Sequence, residues 1–117
     1  MSMKRVSEEF LFGKKIEVED LGDGVSRQIL GYDESIMMVK VMFEKGAIGY
    51  AHHHKHAQTT YVESGKFEVK MGDEVKILTA GDAFFAPSDK IHGVKCEEKG
   101  ALIDVFSPIR DDFFSEK

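Results

Sequence analysis

Four of the five histidines in this 117-residue chain fall within five residues, His52-His53-His54-Lys55-His56, and Ala57 and Gln58 follow directly. Side chains alternate along an extended backbone, so His52 and His54 project to one face and His53 and Lys55 to the other. Two imidazoles spaced in this way can chelate one metal ion. Gln58 shares their parity and offers an amide oxygen as a third, harder ligand. A fourth must come from elsewhere, and the remaining histidine is His92, which follows a glycine, an apolar run and a proline across residues 81–87. The stretch lies inside a strand-rich region, so it is not an appended tag. A histidine-rich loop can also be solvated and inert, and a lone remote histidine is usually structural. The cluster by itself leaves both readings open. His53 has the wrong parity for a ligand, and a turn before Gln58 removes His56.

A second stretch with chemical potential lies near the C-terminus. Alternation over residues 102–106 puts Ile103 and Val105 on one face and Leu102, Asp104 and Phe106 on the other. A carboxylate amid apolar residues is costly to bury unless it is paired or used. Desolvation would raise its pKa, and a metal or Arg110 would lower it. An ion pair between Asp104 and Arg110 that pins the C-terminus competes with a working role in a site. Cys96, four residues after His92, shares its parity; a small core residue is the favoured account over a soft metal ligand. Tyr50 is either a substrate-facing hydroxyl or an ordinary residue at a site mouth.

The elements that would position these groups are strands. Residues 66–71 alternate polar and apolar and place Phe67, Val69 and Met71 on one face. Gly72, Asp73 and Glu74 form a hairpin turn, and the pattern resumes at Val75-Lys76-Ile77. Residues 37–43 read as a more fully buried strand in which Met37 and Met38 pack in the core. Residues 25–30, 60–62, 83–86, 93–96 and 101–106 are further strands, with Phe84 and Phe85 as core and pocket wall. Glycines punctuate these runs, and many short strands with glycine turns point to a sandwich or barrel. Residues 111–116 can form a single helical turn. Residues 1 to about 20 form an arm ahead of the barrel, whose sheet edge needs cover. The expected architecture is all-β and single-domain.

Composition bounds the function. Sixteen Lys and Arg face twenty-one Asp and Glu, a formal charge of −5, which disfavours nucleic acid as a partner. No apolar run exceeds four residues, far short of a membrane span, and the N-terminus lacks the apolar core of a signal peptide. Cys96 is the only cysteine, so no internal disulfide is possible and a reducing, cytoplasmic compartment is expected. Small barrels pair through exposed sheet edges, so a homodimer is expected, with the N-terminal arm a candidate for the interface.

The spacing resembles the two motifs of the cupin superfamily. Gly46, five residues, His52, one residue, His54, three residues, Gln58, six residues and Gly65 resemble the first; Gly81, five residues, Pro87, four residues and His92 resemble the second. The resemblance implies a jelly-roll barrel, a double-stranded β-helix over about residues 36–107, with a metal held by His52, His54, Gln58 and His92. Three positions depart from the motifs: Gln58 replaces a common Glu, Asp89 a Gly, and Cys96 an Asn. Three imidazoles and an amide are neutral, so the ion keeps its full charge, which suits Lewis-acid polarisation. Imidazole ligands do not choose among zinc, nickel, iron, manganese and copper.

The run from Asp104 to Phe113 resembles the ending of one cupin subgroup, the KdgF family, whose glutamine ligand Gln58 also matches. The resemblance implies opening of the ring of 4,5-unsaturated monouronates from pectin or alginate to a linear keto sugar acid. It also implies catalytic roles for Asp104 and Arg110 and a pocket-lining role for Phe106. A guanidinium can bind the sugar-acid carboxylate with a bidentate fork, while a carboxyl group exchanges protons. The competing readings are a metal-dependent dioxygenase or other isomerase, and a non-catalytic module that captures a small acid.

Overall fold

In the computed structural model, residues 4–114 are described. Eight strands follow one another: β1 (Glu19–Gly22), β2 (Val25–Asp33), β3 (Ile36–Phe43), β4 (Ile48–His52), β5 (Ala57–Met71), β6 (Glu74–Thr79), β7 (Ala83–Ala86) and β8 (His92–Ser107). Short 3-10 turns at Gly13–Lys15 and Asp111–Phe114 flank them. The C-terminal turn covers Asp111–Phe114, and residues 115–116 of the helical turn expected over 111–116 lie outside the described residues, as do the first three residues of the expected arm. That arm passes into the sheet as β1, and β1 and β2 extend it ahead of residue 36.

Two long strands organise everything else. β5 and β8 pair along nearly their whole lengths, 15 and 16 residues. The first half of β5 and the second half of β8 join β7, β3, β2 and β1; their other halves join β6 and β4. The two halves bend apart near residues 62–67, where the β5–β8 register shifts. Glycine makes this bend possible. A Cβ on Gly65 would sit 2.6 Å from the Glu98 carbonyl oxygen and 2.7 Å from the Gly100 Cα, and Gly65 holds φ at +86°. Gly65 and Gly100 therefore do not end strands as turn residues would. They let two continuous strands cross closely, so the runs expected at residues 60–62 and 66–71 are one strand, as are those at 93–96 and 101–106.

Burial follows the pleat, with corrections to the sequence reading. In β3, Met37 and Val39 are fully buried while Ile36 and Met38 are exposed, so Met38 is not a core residue. The strand lies in a sheet with one face inward and the other outward, and period two survives. The hairpin between β5 and β6 uses only Gly72 and Asp73 as its loop, pairing Met71 with Glu74. One residue fewer in the turn reverses the faces of β6: Leu78 opposes the buried Phe67, and Val75 and Ile77 point outward. Phe85 is likewise exposed, on the outer face of β7, and only Phe84 reaches the interior.

The core has two parts. Phe43, Val62, Phe67, Cys96 and Leu102 form one, with Phe43 and Phe67 edge-to-face at 5.3 Å. Met37, Val39, Phe106 and Ile109 form the other, which packs under the C-terminal segment. Cys96 belongs to the first part, its thiol donating to the Glu98 carbonyl at 3.0 Å, and burial raises its pKa. It does not group with the histidines. Between the two sheets a cavity of about 230 Å³ remains, lined by groups from both.

Candidate metal centre

His52 ends β4 and pairs across with His92, the first residue of β8, so one sheet presents both imidazoles side by side. His54 lies beyond β4 in the connection to β5, and Gln58 is the second residue of β5, opposite Phe106 of β8. A ligating nitrogen from each of His52, His54 and His92 lies within 4.8 Å of the others. The Gln58 amide oxygen is 3.2 Å from His54 Nε2 and 3.1 Å from His92 Nε2. The loop carrying His54 is tied to the loop before β8, because the Asp89 amide donates to the His54 carbonyl at 2.7 Å. Asp89 holds φ at +63°, a left-handed conformation that Asp tolerates better than most residues, which explains how it stands where the motif has glycine.

The tautomers follow from the outer nitrogens. His52 Nδ1 faces the Tyr50 carbonyl at 2.8 Å, His54 Nδ1 the His56 carbonyl at 2.9 Å, and His92 Nδ1 the Lys90 carbonyl at 2.8 Å. A carbonyl only accepts, so each Nδ1 carries the proton and each Nε2 presents a lone pair. Burial lowers the pKa of His54, with the Arg110 charge adding to it, and burial likewise lowers that of His92. Both rings are therefore neutral at neutral pH. The Nε2 atoms of three imidazoles and the Gln58 amide oxygen converge on one point, a set of donors suited to a cation at its centre. Donors each about 2.0–2.1 Å from one ion lie roughly 3 Å apart, matching the spacing of Gln58 from its two histidines. The residues fit a transition-metal ion.

Behind Gln58 stands the carboxylate. Thr60 Oγ1 donates to Asp104 Oδ1 at 2.6 Å and accepts from Gln58 Nε2 at 2.9 Å; Gln58 Nε2 also reaches Asp104 Oδ1 at 3.3 Å. Desolvation pushes the pKa of Asp104 up to about 6, against the hydrogen bonds from Thr60 and Gln58 and the Arg110 charge. The direct Asp104–Arg110 ion pair is not formed. Arg110 instead donates from Nε and Nη2 to the two carboxylate oxygens of Asp112, at 3.0 and 2.9 Å. Its guanidinium lies over Phe106 at 5.1 Å and over Phe113 at 4.6 Å, and it lines the same cavity as His52, His92, Gln58 and Asp104. Phe106 is buried and lines the cavity too.

Several residues the sequence reading set aside or missed have places here. His56 is no ligand, yet it is not incidental: its Nε2 donates to the Ile109 carbonyl at 3.0 Å and steadies the segment before Arg110. Tyr50 is 72% exposed, and its carbonyl accepts from His52 Nδ1. His53 points out and lies 3.7 Å from Asp89. Thr60, Asp112 and Phe113 were missed, since a threonine in a strand and an acid beside an arginine carry no signal of their own.

A jelly-roll of two sheets with inward imidazoles at the end of β4 and the start of β8 defines a cupin. The family model for the cupin domain matches residues 39–106. A pectin degradation protein, KdgF of Dickeya dadantii (strain 3937), is 50% identical over 97 residues, covering 81% of this chain and 88% of that protein. The solved structure of KdgF from a Halomonas species superposes with a TM-score of 0.88 at 38% identity, covering 92% of this chain and 99% of that one. An RmlC-like cupin from Shewanella frigidimarina NCIMB 400 superposes with a TM-score of 0.91 at 50% identity, covering 92% and 97%. The chain belongs to the KdgF family of cupins.

Proposed function

We propose that the protein opens the ring of 4,5-unsaturated monouronates and releases the linear keto sugar acid, using a divalent transition metal held by His52, His54, Gln58 and His92. The observation that carries this reading is the sharing of one cavity by His52, Gln58, His92, the Asp104 carboxyl and the Arg110 guanidinium, with His54 completing the group of three imidazoles. Likeness to a protein named for pectin degradation supports the substrate class; alginate-derived uronates carry the same unsaturated acid and belong to the same proposal.

The metal, when bound, supplies Lewis-acid polarisation of a substrate oxygen. Arg110 anchors the substrate carboxylate. Its Nε and Nη2 edge faces the exposed Asp112, which leaves Nη1 and the second Nη2 hydrogen for a ligand in the cavity. Phe106 and Phe113 flank the guanidinium and fix its plane. Asp104 moves the proton: it takes one from the anomeric hydroxyl as the ring C–O bond breaks, which leaves an aldehyde and an enolate, and it returns that proton to C4 of the enolate to give the keto acid. The reaction is an isomerisation, so a single carboxyl that accepts and then gives back a proton closes its balance. Asp104 Oδ1 is held by Thr60 and Gln58, and Oδ2 is the atom left for this task.

The test is Asp104→Asn in metal-loaded protein, which should keep its metal and lose turnover of unsaturated galacturonate by about 100-fold or more, the scale of general acid–base catalysis. Full activity with the metal retained would remove Asp104 from the mechanism. The reading extends to a cytoplasmic homodimer. The lone thiol of Cys96 supports the compartment, and the outward Ile36, Met38, Tyr61 and Phe85 support the pairing.

A further inference from the structure

Gln58 must present its oxygen, not its nitrogen, to the imidazoles, and nothing in the amide itself selects that orientation. The selection comes from behind. Both groups facing the amide nitrogen, Thr60 Oγ1 at 2.9 Å and Asp104 Oδ1 at 3.3 Å, can accept its hydrogens. Because Thr60 accepts from Gln58, its own hydroxyl hydrogen is free for Asp104, and that bond is the shortest of the three at 2.6 Å. A single proton order results: amide to hydroxyl to carboxylate. Thr60 is 1% exposed, so no water competes for the hydroxyl. It lies on β5 directly opposite Asp104 on β8, and two residues from Gln58, so the pleat aims all three side chains inward.

We infer that the Thr60 hydroxyl is the positioning group that joins the metal site to the proton carrier, fixing the Gln58 amide for ligation and pinning Asp104 Oδ1 so that Oδ2 is the oxygen presented for proton transfer. Thr60 touches neither the metal position nor the substrate; it acts through its two neighbours. This rests on the reading of Gln58 as a ligand and Asp104 as the proton carrier. The bridge also accounts for a glutamine at position 58. A glutamate there would have no hydrogen to give Thr60 or Asp104, and would set a second carboxylate against the first.

The experiment compares Thr60→Val, which keeps the shape and removes the hydroxyl, with Thr60→Ser, which keeps the hydroxyl and removes the methyl. Zn²⁺ affinity is read by competition with a chromophoric chelator, and turnover of unsaturated galacturonate is read on the zinc-loaded proteins. Thr60→Val is expected to weaken Zn²⁺ binding about 10-fold and to lower kcat about 10–100-fold, the range for partners that orient metal ligands, with KM nearly unchanged. Thr60→Ser should restore both. The inference is overturned if Thr60→Val matches the wild type, if only one of the two readouts moves, or if Thr60→Ser is as impaired as Thr60→Val. Should Val disturb folding, Thr60→Ala replaces it, and a Ser protein no better than the Ala protein overturns the inference equally. If the wild-type protein leaves the uronate untouched, the functional reading falls, and zinc affinity alone still decides for or against Thr60.

Discussion

Position 58 needs a side chain that accepts on one side and donates on the other, and glutamine alone among the longer side chains does both without charge. Gln58→Glu is therefore predicted to keep bound metal, through an added negative charge, while slowing turnover by about tenfold or more as Asp104 loses its donor. Metal content and kcat measured on the same sample check this, and undiminished kcat would contradict it. Asp112 makes a second residue-level case. Its carboxyl sits below the ordinary value of 3.8, chiefly because Arg110 donates to it. A depressed folded-state value means that the ion pair contributes above that ordinary value and fades as pH falls through the depressed one. Because Asp112 is exposed, the contribution to overall stability is small. Arg110→Ala should raise the Asp112 midpoint toward 3.8 in a carboxyl NMR titration; an unmoved midpoint would refute the assignment. The histidines and Gln58 were legible in the sequence because ligand spacing is local. Thr60 and His56 were not, because their partners lie 44 and 53 residues away, and Asp112 was not, because an acid beside an arginine carries no signal of its own.

Strands are where turn chemistry misled. Glycines at 72, 81 and 46 do occupy turns with positive φ, whereas Gly65 and Gly100 lie within strands and exist for the closeness of two backbones. Local sequence does not distinguish these uses, since the crowding at Gly65 comes from residues 98–100 of another strand. Gly65→Ala is predicted to cost about 2 kcal/mol or more, combining left-handed strain with a backbone clash. A thermal melt should show a drop of several degrees, and an unchanged Tm would contradict the crossing. The same bend separates the sheet bearing His52 and His92 from the sheet bearing Gln58 and Asp104, so the variant should also weaken metal binding. Alternation was readable in β3 and β5; its phase in β6 was not, because it hangs on one residue in the Gly72-Asp73 loop.

At the scale of the whole molecule, a barrel with an inward ligand set couples stability to metal. Metal at about 100 times its dissociation constant should stabilise the fold by about 2.7 kcal/mol, so a chelator should lower Tm and added metal should restore it. An identical Tm with and without metal would count against the centre. The outer face leaves Ile36, Met38, Tyr61 and Phe85 exposed, and a second copy of the chain is the proposed cover. Sedimentation should give twice the 13.2 kDa chain mass, and Tyr61→Glu should return it to one; a wild-type monomer would contradict the dimer. The barrel class and its two motifs were legible from spacing, whereas the pairing of the two sheets through β5 and β8 emerged only from long-range register.

The ring of histidines is proposed to serve a reaction on an unsaturated sugar acid. The most direct test follows the ultraviolet absorbance of the conjugated double bond in freshly generated 4,5-unsaturated galacturonate. Metal-loaded protein should speed its loss well beyond the spontaneous rate, and chelation should abolish the effect until metal is returned. Absorbance that decays no faster with metal-loaded protein than without it would contradict the account.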